Sequence, residues 1–214
     1  GIVGLNTNDG KVLGCTLDGQ ISGGSYLGGI AVRNESIIED CAVKNSAGSS
    51  ESAVIGSGEY IGGIAAVSRL KKVEIAETTY PNRIKDCRVE ANIGAQNMGQ
   101  YVGGLLGRYE GGELDGSFTE EQIKIYGEDY VGGIAGSVHS ELQGEETGQI
   151  SNHAEVIAVN AAGGIAGELA EDVKVIYCAN SGKVSSTQGK AGGIAPEVGE
   201  SNTVRECKNS GSVL

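Results

Sequence analysis

Five cysteines, two histidines and a surplus of carboxylates are the groups with which this 214-residue sequence could do chemistry. The cysteines stand in one phrase, apolar-x-x-Cys: Val12-x-x-Cys15, Ile38-x-x-Cys41, Ile84-x-x-Cys87, Val175-x-x-Cys178 and Val204-x-x-Cys207. Two degenerate copies, Leu114-x-x-Ser117 and Ile150-x-x-His153, put Ser117 and His153 in the same slot. Zinc needs deprotonated ligands converging tetrahedrally, and a column supplying one thiol per phrase does not converge. If the phrases stack, Cys15 with Cys41, Cys41 with Cys87 and Cys178 with Cys207 come close enough for a disulfide, provided their side chains also point correctly. The preferred reading is buried free thiols acting as small apolar side chains, because Ser and His replacements point to a need for size rather than reactivity.

The other candidates read in the same way. Neither His139 nor His153 belongs to a His-Glu-x-x-His pair, and no Gly-x-Ser-x-Gly elbow is present. His153 is expected as a hydrogen-bonded interior residue and His139 as a loop residue facing water. Asp40 and Asp86 each precede a cysteine, so they should stack outward on adjacent coils, about 5 Å apart. Such a pair could hold calcium or do acid–base work, yet no third ligand or paired base repeats beside it, so solvated surface acids are the default. No catalytic residue, metal ligand or cofactor is therefore assigned. The densest basic patch of the chain is Arg69, Lys71, Lys72 and Arg83 with Tyr80-Pro81, inside an insertion over residues 68–83. Insertions in repeat proteins map to loops that often form the binding face, which makes Arg69, Lys71, Lys72, Tyr80 and Arg83 the candidate contact residues.

What must position these residues is a repeat. Six segments carry Gly-Gly-Ile or Gly-Gly-Leu, beginning at Gly28, Gly62, Gly103, Gly132, Gly163 and Gly192, at intervals of 34, 41, 29, 31 and 29 residues. Tyr26, Tyr60, Tyr101 and Tyr130 stand two residues ahead of the first, second, third and fourth. One apolar-x-x-Cys phrase or degenerate copy falls between every neighbouring pair. The apolar runs are short, β-branched and cut by Gly, Ser and Asn, which is strand and turn grammar rather than helix grammar. The expectation is an all-β, right-handed parallel β-helix, a single-stranded solenoid of about seven coils of roughly 30 residues. Residues 1–214 would form one domain, cut from a longer array. The double glycines would sit at corners that need positive φ or close backbone approach, with the tyrosines stacked in a row beside them.

Composition agrees. The chain has 37 glycines but only two prolines, which excludes collagen, and it has no Trp and one Phe, so the core must be thin and aliphatic. A net charge of −12 would repel a phosphate backbone, which argues against nucleic-acid binding. No apolar run approaches the length of a membrane span.

The phrases Tyr130-Val131-Gly132-Gly133-Ile134-Ala135-Gly136 and Tyr101-Val102-Gly103-Gly104-Leu105-Leu106-Gly107 resemble the GLUG repeat of bacterial surface proteins. The Ile-x-Asp-Cys and Asn-Ser-Gly-x-Val segments look like that family's linking strand. The copies ending in Val32, Ala66 and Pro196 depart at the final glycine. The resemblance implies a non-enzymatic module of an exported Gram-positive-type surface protein. It would be an adhesin, stalk or spacer, or the non-catalytic part of a large surface peptidase resembling the IgA1-cleaving enzymes. It would act extracellularly as a monomer within a longer chain, with a host protein or glycan as partner. The alternative is a carbohydrate-active β-helix using surface carboxylates, with calcium as its candidate cofactor; a long shallow groove lined by charged residues would revive it.

Overall fold

A computed structural model describes residues 1–46, 51–70, 82–144 and 150–214. Among them the chain is all-β and without helix, and its short strands recur in a fixed cycle of five. One turn shows the cycle: Ala31–Asn34 lies on face 1, Ile37–Glu39 on face 2, Ala42–Lys44 on face 3, Val54–Gly56 on face 4 and Glu59–Gly62 on face 5. Each strand pairs in parallel with its counterparts one turn before and one turn after. Faces 1, 4 and 5 are six-stranded sheets and face 3 is seven-stranded, whereas face 2 is split into four and three strands. The result is a parallel β-solenoid of about six turns, in keeping with the right-handed β-helix expected; the seventh coil of the sequence count is only partial. At one strand spacing per turn the stack rises roughly 30 Å.

The core is as thin as the composition requires. Ile30, Ile64, Leu105, Ile134 and Ile165, which follow the double glycines, are fully buried, as are Ile61, Val102, Val131 and Ala162 on face 5. Each turn thus buries a few β-branched side chains, worth about 1.5–3 kcal/mol apiece, on strands whose pleat favours them.

The register corrects the assignment of the cysteine column. Cys15, Cys41, Cys87 and Ser117 fall in line through the pairings Thr16↔Ala42, Ala42↔Arg88 and Arg88↔Phe118. The next member is Ile150, which pairs with Cys178, and not His153. The apolar partner of that copy is Leu142, aligned with Val175. An insertion between Leu142 and Ile150 had shifted the apparent phase by three residues. An aliphatic side chain, not an imidazole, therefore fills the slot, and His153 occupies the following corner.

At the corners, of the two needs expected of the double glycines, close backbone approach is the one the structure shows. None of the six double glycines has positive φ; the tyrosines do, at +57°, +58°, +53° and +52° for Tyr26, Tyr60, Tyr101 and Tyr130. The double glycines are required by space. A Cβ on Gly132 would meet the Ala135 carbonyl oxygen at 1.9 Å, and one on Gly133 would meet the Gly164 oxygen at 2.1 Å. The final glycine of the motif answers the tyrosine of the previous coil: a Cβ on Gly136 would lie 2.1 Å from the Tyr101 carbonyl carbon, and one on Gly167 2.2 Å from that of Tyr130. The copy with Ala66 at this place has Tyr26 behind it, and that ring is tilted and half-exposed instead of flat on its neighbour. Left-handed residues also stand before Cys15, Cys41, Cys87, Ser117, Cys178 and Cys207: Gly14, Asp40, Asp86, Gly116, Tyr177 and Glu206. Asp and Gly are the residues that tolerate this conformation most readily, which accounts for Asp40 and Asp86 on backbone grounds.

Candidate functional site

Beside the tyrosine row, along the seam between faces 5 and 1, two separate cavities open, one towards each end; together they are termed the trough. The rings of Tyr26, Tyr60, Tyr101 and Tyr130 follow one another at 5.2, 5.1 and 5.0 Å, and the last two contacts are stacked. The left-handed backbone at each tyrosine sets this row, because it turns the chain sharply at the same point of every coil. Burial pushes the Tyr101 phenol up to about 12.

Residue types along the trough change with position. Four residues after each second glycine, face 1 presents Arg33, Val67, Arg108, Ser137 and Glu168, which pair in register. At the amino-terminal end a cavity of about 360 Å³ is lined by Tyr26, Arg33, Tyr60, Arg69, Arg108 and Glu110 among others. Arg33 Nε lies 3.2 Å and Arg69 Nη2 2.7 Å from the same Glu35 Oε1. The Glu35 side chain is only 4% exposed. Burial pushes its carboxyl up, but hydrogen bonds from Thr7 and Arg69 outweigh that and hold it below the ordinary range. Arg108 pairs with Glu110 at 2.7 Å, donates to the Tyr60 hydroxyl at 3.3 Å, and places its guanidinium carbon 5.5 Å from the Tyr60 ring centre. Three arginines thus face two carboxylates.

The second cavity, towards the carboxy-terminal end, measures about 890 Å³ and carries the opposite charge, lined by Asp129, Glu168, Glu171, Asp172, Glu197 and Glu200 with Lys190. Burial pushes the Glu168 carboxyl up.

Of the candidate contact residues, Lys71, Lys72 and Tyr80 lie outside the described residues. Arg69 sits on face 1 bound to Glu35, and Arg83 on face 2 bound to Glu39. Both cations are thus neutralised by acids of the preceding coil. Asp40 and Asp86 are exposed on adjacent coils, and their amides donate to the Lys85 and Asp115 carbonyls. Among the described residues no group of three or more His, Cys, Asp or Glu side chains could hold a metal ion. His153 is half-buried with Nδ1 2.7 Å from Ser181 Oγ and its ring edge-on to Phe118, and His139 is exposed.

All five cysteines are free thiols; Cys41, Cys87 and Cys178 are buried, and Cys15 and Cys207 are partly exposed. Within the pairs, hydrogen bonding and burial push Cys87 and Cys178 up, while the hydrogen bond from Cys178 pulls Cys207 down to about 7.

Sequence reading missed Arg33 and Arg108, whose only signal is their common phase after the double glycine. It also missed two asparagine ladders, buried except at Asn209. Asn6 Nδ2 donates to Asn34 Oδ1 at 2.8 Å and Asn34 to Asn82 at 3.0 Å; Asn152 donates to Asn180 and Asn180 to Asn209, each at 2.7 Å. Comparison with protein-family models, with curated proteins and with solved structures finds no match for this chain.

Proposed function

We propose that this segment is a non-enzymatic repeat module of an exported bacterial surface protein, serving as an adhesin or as a stiff spacer. The observation that supports this reading most is how the repeated positions are used. Double glycines close corners, tyrosines turn the chain, and cysteines, isoleucines and asparagines fill the axis, so each recurring residue has a structural task. The positions that change from coil to coil include the partly exposed Arg33, Arg108 and Glu168. A scaffold of this kind holds a long surface towards a partner. The test is attachment of beads coated with the segment to host cells and to a glycan array. Saturable attachment supports an adhesin, a rod without attachment supports a spacer, and turnover of any polysaccharide overturns both.

One observation favours a second reading, a carbohydrate-active β-helix. The carboxy-terminal cavity is lined by many carboxylates, and burial raises the carboxyl of Glu168 among them, in the direction that suits a general acid. Release of reducing ends or unsaturated uronates from acidic polysaccharides, abolished by Glu168→Gln, would establish this alternative.

A further inference from the structure

We propose that the amino-terminal half of the trough is a binding site for a carboxylated sugar, with the acid held by Arg33 and Arg108 and the pyranose ring set against Tyr26 and Tyr60. This deepens the adhesin reading, and rests on it only in choosing a glycan as partner. The site is built before any ligand arrives. The nearly buried Glu35 carboxylate fixes Arg33 and Arg69 from below, and the Tyr60 hydroxyl and ring fix Arg108 from the side. Such fixing removes the entropy that free arginine side chains would lose on binding. Three guanidinium groups against Glu35 and Glu110 leave one positive charge without a carboxylate of its own. Arg33 meets Glu35 through Nε, so that pair does not use its remaining N–H groups, and its side chain is 43% exposed. A planar guanidinium offers a carboxylate two parallel hydrogen bonds.

The rest of the molecule narrows the ligand. The chain carries −12 overall, and the far end of the same trough is acidic, so a dense polyanion is repelled along most of its length. What fits is an isolated acid on otherwise neutral sugars, whose apolar ring face can lie on an aromatic side chain. Tyr26 is 50% exposed and tilted out of the stack, so its ring face is available at the rim in a way that the flatly stacked Tyr101 is not. Uronic acids and sialic-type acids share this chemistry.

The test is titration calorimetry of the whole chain with sialyllactose and with a glucuronate-terminated trisaccharide, against lactose and poly-glutamate. The proposal expects binding of at least one acidic sugar, and which of the two binds identifies the source of the acid. Lactose should bind far more weakly. Arg33→Gln should weaken binding about tenfold or more at a temperature where circular dichroism shows it still folded, as expected for loss of a charge-assisted pair, while Arg33→Lys restores part of it. Arg205→Gln, on the last coil, should change nothing. Unchanged affinity in Arg33→Gln, equal binding of lactose, tighter binding of poly-glutamate, or no binding of either acidic sugar would each overturn the proposal. Failure of the adhesin reading looks different: the acidic sugar binds in solution, yet coated beads attach to no cell.

Discussion

Glu35 shows how much one side chain can organise in a fold with so thin a core. It accepts from Thr7 Oγ1 at 2.9 Å and from Arg69 Nε at 2.8 Å, and pairs with Arg33. Its carboxyl is held below the ordinary value of 4.5, so the folded state favours the charged form. Its stabilising contribution is therefore fully present above pH 4.5 and is lost as the pH falls through the lower, folded-state value. Melting temperature should hold steady from neutral pH down to that window and drop below it, and Glu35→Gln should flatten the drop. A second outcome concerns Cys207. With the thiol pulled down to about 7 and partly exposed, its alkylation by iodoacetamide should accelerate as the pH rises through that value. Peptide mapping should find native-state labelling on Cys15 and Cys207 alone, with Cys41, Cys87 and Cys178 labelled only in denaturant. Labelling of Cys87 in the native protein would contradict its burial.

Among the elements, the corners divide their work between two residue types. Tyrosine adopts the left-handed turn, and glycine clears the path of the neighbouring coil. A Cβ on Gly136 has backbone atoms of Tyr101 within 2.6 Å, so Gly136→Val should destabilise by about 2–4 kcal/mol, the range of overpacked or strained sites. Gly24→Ala has nothing within 4 Å and should be neutral to within about 0.5 kcal/mol. Urea unfolding of both variants decides the matter; equal midpoints would remove the clash as the reason for this glycine. The repeat, its strand content and its parallel stacking were legible because glycine and cysteine recur at visible intervals. The φ assignment was not, since spacing alone does not say which residue of Tyr-x-Gly-Gly makes the turn. The phase at Ile150 was hidden by an insertion that moved the apparent Cys slot onto His153. The trough was illegible because its residues share a position in the coil and not a residue type. The asparagine ladders were hidden for a related reason: Asn34 and Asn82 lie 48 residues apart in the chain, a longer interval than most coils span, yet hydrogen-bond across neighbouring coils.

The whole molecule behaves as a stack in which each coil touches chiefly the next. Within residues 1–214 the first and last coils leave Leu5, Leu13, Val213 and Leu214 exposed, whereas the coils between them are sandwiched. Local opening should therefore begin at the ends. Amide exchange should be fastest in Lys11–Leu13 and Lys208–Asn209 and slowest in Gln100–Gly103 and Asp129–Gly132, whose coils are sandwiched. Uniform exchange along the stack would mean that the six turns open as a single unit.

The tyrosine row makes the protein its own optical probe. With no tryptophan in the chain, the near-ultraviolet signal comes chiefly from eight tyrosines, four of which lie ring to ring at about 5 Å. Chromophores so close and so regularly turned share their excitation, and the coupling depends on the angle between successive rings. The circular dichroism of this band therefore records the twist from coil to coil. A ligand pressed against Tyr26 and Tyr60 would change it at one end of the row, and a shift of one coil against the next would change it throughout, so that seating and winding could be told apart without a label.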